Sequence, residues 1–206
     1  SRNYPLTRSE ISTILNGVLG ALLHVHNSNY VHMDIKLENV LYVNNQHGSR
    51  WVLADFGLSE IAGHVRQHVH STAWYEPPEM SLAGDSPLVI SHVMDIWQVG
   101  LLALELYNNS PWPLKTVGFP RYFAAGYTDD KALGFVSQYL ATHGVPQSYM
   151  ALPDEAAVFI TACLVHDMNK RPPVIALVLF PLLQTHVGAS SSVYRWHMLR
   201  DVLYTT

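Results

Sequence analysis

A single cysteine, Cys163, among 206 residues excludes an internal disulfide framework and fits a reducing compartment. It lies in the apolar run Ala162-Cys163-Leu164-Val165, so a buried, space-filling role is expected rather than a reactive thiol. Charge is also scarce. Asp, Glu, Lys and Arg make up 14% of the chain and the net charge is −4, which excludes a basic footprint for nucleic acid or an anionic membrane surface. The longest greasy run, Val174 to Leu183, is too short for a membrane span and contains Pro181. No apolar stretch follows Ser1-Arg2-Asn3-Tyr4, so no secretory leader is expected. The chain starts without methionine and directly ahead of a helix, which predicts an excerpt of a longer protein.

What is present suits one sizeable globular domain, with 49% of the residues apolar. Thr7 and Glu10 form a capping-box pattern, and Ile11, Ile14, Leu15, Val18, Leu19, Leu22 and Leu23 follow at helical spacing. One amphipathic helix is predicted, ending near His26-Asn27-Ser28-Asn29. Two short apolar runs, Val40–Val43 and Trp51–Ala54, flank Asn44–Ser49 and predict a hairpin with a loop longer than the minimal turn. From about residue 91 the pattern is helical again. Segments near 91–108, 130–142, 154–166 and 173–187 are separated by Pro111, Pro113, Pro120, Pro146, Pro153 and Pro172-Pro173. The fold class is therefore mainly α, with one small hairpin carrying the polar chemistry.

That chemistry lies in His32-Met33-Asp34-Ile35-Lys36-Leu37-Glu38-Asn39 and, one hairpin later, Asp55-Phe56-Gly57. Phosphoryl transfer needs charge neutralisation by Mg²⁺, a positioned acceptor and a cation near the moving phosphate. Asp34 is the candidate for orienting or deprotonating a substrate hydroxyl, and Lys36, two residues on in an extended loop, faces the same side. Asn39 supplies a neutral oxygen and Asp55 a carboxylate, as a hard cation requires. Taken singly, each residue has a plainer reading: Asp34 caps a turn, Lys36 is solvated, and Asp55-Phe56-Gly57 is a tight turn. Their joint occurrence favours one site.

This arrangement resembles the catalytic and metal loops of the eukaryotic protein kinases, serine/threonine type. The likeness continues in Thr72-Ala73-Trp74-Tyr75-Glu76-Pro77-Pro78-Glu79, similar to the end of a kinase activation segment, with Pro77 where the family usually has alanine. Asp95-Ile96-Trp97-Gln98-Val99-Gly100 resembles the start of the central buried helix, and Leu164–Pro172 the late element bearing an arginine. The resemblance covers about residues 7–187 and implies the large C-terminal lobe alone, with the small lobe, its glycine-rich phosphate cover and its strand lysine absent from this chain.

Within one domain, 1–206, it implies a catalytic loop at 32–39, an activation segment at 55–79, a helical subdomain at 91–187 and a tail at 188–206. It implies catalytic roles for Asp34 and Lys36, and nucleotide contacts from Glu38, Asn39, Leu41 and Asp55. Asn39 and Asp55 would hold Mg²⁺ beside ATP. Leu41 would floor the adenine, or be a plain core leucine. His32, Phe56, Gly57, Thr72, Glu79, Asp95 and Arg171 would support the site, Asp95 by bracing the catalytic loop and Arg171 by pairing with Glu79. Lys36 and Thr72 resemble serine/threonine rather than tyrosine kinases.

The implied function is transfer of the γ-phosphoryl group of ATP to a protein hydroxyl. The implied partners are a protein substrate and a small lobe from the same protein or a partner kinase. The alternative is a pseudokinase, or half-kinase mimic, that binds and regulates another kinase without turnover. Met33 stands where many kinases carry an arginine that clamps a phosphorylated loop, so constitutive activity or control by a partner is expected. His64, His68 and His70, like His24 and His26, lack a clear third metal ligand and are expected to be surface or core residues. Asp154 and Glu155 should favour a helix N-terminus. The aromatic tail around Tyr194 and Trp196 is expected to pack on the last helix. Placement in the cytoplasm is expected. The alternative is a secreted effector, because Pro77-Pro78-Glu79 also occurs in some secreted parasite kinases.

Overall fold

The computed structural model describes residues 6–46, 48–108, 138–140, 142 and 152–184. The tail at 188–206, most of the predicted 130–142 helix and the breaks at Pro111, Pro113, Pro120 and Pro146 lie outside the described residues.

Helix α1 (Arg8–Asn27) begins where the capping box predicts. Thr7 Oγ1 accepts from the Glu10 amide at 3.2 Å, and Glu10 Oε2 accepts from the Thr7 amide at 2.8 Å. Its apolar stripe, including Leu15, Val18, Leu19 and Leu22, is fully buried in the main core. Full burial of one such side chain contributes about 1.5–3 kcal/mol. Two polar residues on the same helix fasten a stretch distant in sequence: Ser12 Oγ donates to the Leu182 carbonyl at 2.9 Å and Asn16 Nδ2 to the Leu183 carbonyl at 3.2 Å.

Strand β1 (Tyr30–Val31) follows, then the loop that carries Asp34 and a 3₁₀ turn at Leu37–Asn39. β2 (Val40–Asn45) and β3 (Gly48–Leu53) form the hairpin in a register from Val40↔Leu53 to Asn45↔Gly48. The strands are longer than the apolar runs, and only Gln46 and His47 separate them. The long connecting loop expected at Asn44–Ser49 is therefore corrected, because cross-strand pairing extends into polar residues there. α1 rests directly on this hairpin: a side chain at Gly17 would bring its Cβ within 2.7 Å of Trp51 Cβ.

Two further ribbons were not predicted. β1 pairs antiparallel with β4 (Glu60–Ile61), and β5 (Val65–Arg66) with β6 (Leu88–Val89). At two residues each they show no alternation to read. The first draws together the chain on either side of Asp34 and Asp55; the second ties the segment after Asp55 to the approach of α3. Helix α2 (Pro78–Ala83) starts with proline in its first turn.

Helix α3 (Val93–Asn108) runs through the core, with Trp97, Val99, Leu102 and Leu104 fully buried. It packs on α4 (Asp154–Cys163), where a Cβ at Gly100 would lie 2.7 Å from Cys163 Cβ. Cys163 is fully buried, as its apolar run predicts, and burial pushes its thiol up. α4 ends at Cys163, shorter than the predicted 154–166. Of the acidic pair at its start, Glu155 also meets Arg8 of α1 at 3.0 Å. The single helix expected over 173–187 is corrected to α5 (Val174–Leu177) and α6 (Pro181–Gln184), since Pro181 supplies no amide to continue the first ladder. Among the described residues, no helix is long and apolar enough to cross a membrane.

Candidate active site

The centre of the site is assembled by Asp95, a fully buried carboxylate in the first turn of α3. Its Oδ2 accepts from the His32 amide and its Oδ1 from the Met33 amide, each at 2.8 Å, and Oδ2 also meets His26 Nε2 at 2.9 Å. Aiming two successive amides at one carboxylate bends the chain, and Met33 takes φ of 70°. A non-glycine residue there costs on the order of 1–3 kcal/mol, so the buried carboxylate holds a strained turn in place. Asp95, which the resemblance casts as a support of the site, is placed against the backbone of His32 and Met33.

The turn presents Asp34, 4% exposed, to a compact polar cluster. Lys36, in extended backbone, brings Nζ to 2.8 Å from Asp34 Oδ2. Asn39 Nδ2 donates to that same oxygen at 2.9 Å and to the Asp34 carbonyl at 2.8 Å. Both partners are acceptors, which fixes the amide nitrogen toward Asp34 and turns the amide oxygen away from it. Thr72 completes the group: its hydroxyl donates to Asp34 Oδ1 and accepts from Lys36 Nζ at 2.7 Å. Burial alone would raise the Asp34 carboxyl. Hydrogen bonds from Lys36 and Thr72, the Lys36 charge and the Asn39 amide outweigh it and hold the group below the usual carboxylate range.

His32 is buried beneath the loop. Its Nε2 donates to the Ala54 carbonyl at 3.1 Å while Nδ1 accepts from the Asp34 amide at 3.3 Å, which defines a neutral tautomer. Burial lowers its pKa, in keeping with that neutral state. The Ala54 amide donates to the Asn39 carbonyl at 2.8 Å, so the residue before Asp55 is tied to both His32 and Asn39. Asp55 is exposed, takes φ of 60°, and its Oδ1 accepts from the Gly57 amide at 3.1 Å. A side chain on Gly57 would crowd that oxygen at 3.1 Å. Phe56, 52% exposed, sets its ring edgewise to His32 at 4.7 Å. Glu38 is partly exposed on the 3₁₀ turn, and Leu41 is 48% exposed on β2, so the plain-core reading of Leu41 is corrected.

Behind the site, Arg171 holds Glu79 in a two-pronged ion pair, Nη1–Oε1 at 2.8 Å and Nη2–Oε2 at 2.7 Å. Its remaining donors reach the Val165, Val93 and His166 carbonyls, and its guanidinium lies 5.1 Å from the Trp97 ring centroid. With its donors satisfied, this buried pair fixes the start of α2 against α3.

Three elements of the site escaped the sequence reading. Gln98 bonds Met33 and Ile35 on either side of Asp34, and also Ser71. Tyr75 donates its hydroxyl to Glu105 deep in α3, a contact between residues thirty apart that no local pattern marks. Met33 packs with Val31, Met80, Ile90 and Met94 in a second apolar cluster. The sequence marked it only as a missing arginine.

The site thus groups an ionised carboxylate, a lysine, an amide and a threonine, with a second carboxylate on the adjoining loop, on a mainly helical scaffold. The profile of the protein kinase domain matches residues 1–182, and the chain belongs to that family. It is 26% identical over 200 residues to the serine/threonine-protein kinase tousled-like 2 of Xenopus tropicalis, covering 91% of this chain and 27% of the relative. It is 29% identical over 195 residues to the serine/threonine-protein kinase pakG of Dictyostelium discoideum, covering 92% and 15%. Over 107 residues it is 35% identical to the serine/threonine-protein kinase TAO1-A of Xenopus laevis, covering 52% and 10%. The chain therefore spans about a quarter or less of the length of these relatives.

Proposed function

We propose that this chain is the large lobe of a serine/threonine protein kinase that moves the γ-phosphoryl group of ATP to a protein hydroxyl. The observation that carries the reading is the Asp34–Lys36–Asn39–Thr72 cluster, held by Asp95 in a strained turn. Asp34, kept ionised by its partners, orients the acceptor hydroxyl and takes its proton. The donor it already accepts is a threonine hydroxyl, the kind of group a substrate would offer. Lys36 stands where it offsets charge on the transferring group.

The donor set fits Mg²⁺: the Asn39 amide oxygen faces away from Asp34, and Asp55 adds a second hard oxygen ligand from an exposed loop. When bound, Mg²⁺ with ATP supplies charge neutralisation and the phosphoryl group. In this reading Glu38 and Leu41 are further nucleotide contacts, Leu41 being exposed and Glu38 partly so. Leu41 and Phe56, 48% and 52% exposed, are surfaces for a small lobe from the same protein or a partner kinase to cover.

Radiolabel transfer from γ-labelled ATP to a mixed peptide library, with acid hydrolysis to identify the labelled residue, tests this in the natural protein. Phosphoserine and phosphothreonine are expected; phosphotyrosine as the main product would refute the acceptor assignment. Specific docking on another kinase with no nucleotide-dependent transfer would replace this reading with the half-kinase one.

A further inference from the structure

Gln98, 1% exposed on α3 one turn beyond Asp95, joins two segments that the sequence treats separately. Its Oε1 accepts from the Ile35 amide at 2.8 Å, and its Nε2 donates to the Met33 carbonyl at 2.9 Å and to Ser71 Oγ at 2.8 Å. The partners fix the amide orientation, since an N–H needs the oxygen and a carbonyl needs the nitrogen. Met33 and Ile35 flank Asp34, so one side chain grips the peptide units on both sides of it. Ser71, having accepted from Gln98, donates its own O–H to the Met33 carbonyl at 3.1 Å, closing a ring of three groups. The next residue along is Thr72, which bonds Asp34 and Lys36.

We propose that Gln98 is a positioning residue that latches the activation segment onto the catalytic loop through the unmodified Ser71 hydroxyl, and so sets Thr72 and Asp34 in working register. The proposal rests on the kinase reading for its effect on turnover, but not for the latch itself. Asp95 alone does not do this work, because among the described residues its side-chain hydrogen bonds go to His26, His32 and Met33 and none to the activation segment. Met33 offers no charge to hold that segment, being buried among apolar side chains. The latch uses neutral groups only, so it is closed without any covalent modification.

The experiment compares wild type, Gln98→Met and Ser71→Ala by residue-resolved amide hydrogen exchange without nucleotide, then by steady-state kinetics of the natural protein. In Gln98→Met, which keeps length and apolar bulk, the Ile35 amide and residues 69–75 should exchange about tenfold faster, as loss of a hydrogen bond of ordinary strength implies. Amides in the middle of α1 should not change. Ser71→Ala should free residues 69–75 while Ile35 stays protected, and it carries the test if Gln98→Met does not fold. In turnover, kcat should fall about 10²-fold with KM for ATP within about threefold, the pattern of lost positioning. Unchanged exchange at Ile35 and residues 69–75 in both variants would overturn the latch. So would a uniform loss of protection that includes α1 in Ser71→Ala. A changed exchange pattern in a protein without turnover would instead uphold the latch and count against the kinase reading.

Discussion

A carboxylate that takes a proton from a substrate hydroxyl has to be ionised when the substrate arrives. Asp34 meets that condition through Lys36, Thr72 and Asn39, despite its burial. In the natural protein, Asp34→Asn, Lys36→Met and Asp55→Asn should each lower kcat, by about 10²–10⁴-fold for the proposed base, with circular dichroism and melting nearly unchanged. Wild-type rates in all three would remove the assigned roles. A second prediction concerns Glu105. Burial first, with the nearby Glu38 charge adding, pushes its carboxyl from 4.5 to about 7 against the hydrogen bond from Tyr75. The folded state thus favours the protonated form. The associated stability is fully present below the ordinary value of 4.5 and is lost as pH rises through about 7. The Tm difference between Glu105→Gln and wild type should therefore grow in favour of the variant across that window; a pH-independent difference would count against a buried, proton-binding Glu105. The two cases differ in legibility. Asp34, Lys36 and Asn39 sit within six residues and could be read as a motif, whereas Tyr75 and Glu105 meet only because the activation segment folds over α3.

At the scale of elements, long periodic segments were legible and short cross-connections were not. α1 carries its own start signal and a repeating apolar stripe, so its span follows from sequence. The ribbons β1–β4 and β5–β6 are held by a few backbone bonds, such as Gly63 to the Ile90 carbonyl at 2.8 Å, which any side chain permits. Close approach of α3 and α4 at Gly100 predicts that Gly100→Ala destabilises by about 1–3 kcal/mol, read as a lower denaturant midpoint, because the added methyl meets Cys163 and Leu164 at 2.7 Å. No change would mean that the two helices separate at no cost. The activation segment gives a further prediction. The hydroxyls of Ser71 and Thr72 are both already used as donors, to Met33 and Asp34. Chemically installed phosphate at either position should lower activity, and a strong increase would contradict phosphate-independent ordering.

On the scale of the whole molecule, two apolar clusters among the described residues share the work. The larger joins α1, α3, α4, α5 and α6, and the smaller places Met33 with Met80, Ile90 and Met94 under the catalytic loop. Between them Arg171 and Glu79 form a buried ion pair. Glu79→Ala should cost about 3–5 kcal/mol in a denaturation experiment by leaving a buried guanidinium uncompensated. The family was readable because its motifs stand in a fixed order along the chain. The inter-segment bonds of Gln98 were not, since a glutamine in an apolar helix reads as one more polar residue until the loops it reaches are placed. The measurement that bears most directly on the central claim is kcat and ATP affinity, taken side by side for the natural protein and its Asp34→Asn variant. The account predicts loss of turnover by about 10²-fold or more with ATP affinity within about threefold. Phosphoryl transfer at the wild-type rate by Asp34→Asn would contradict it.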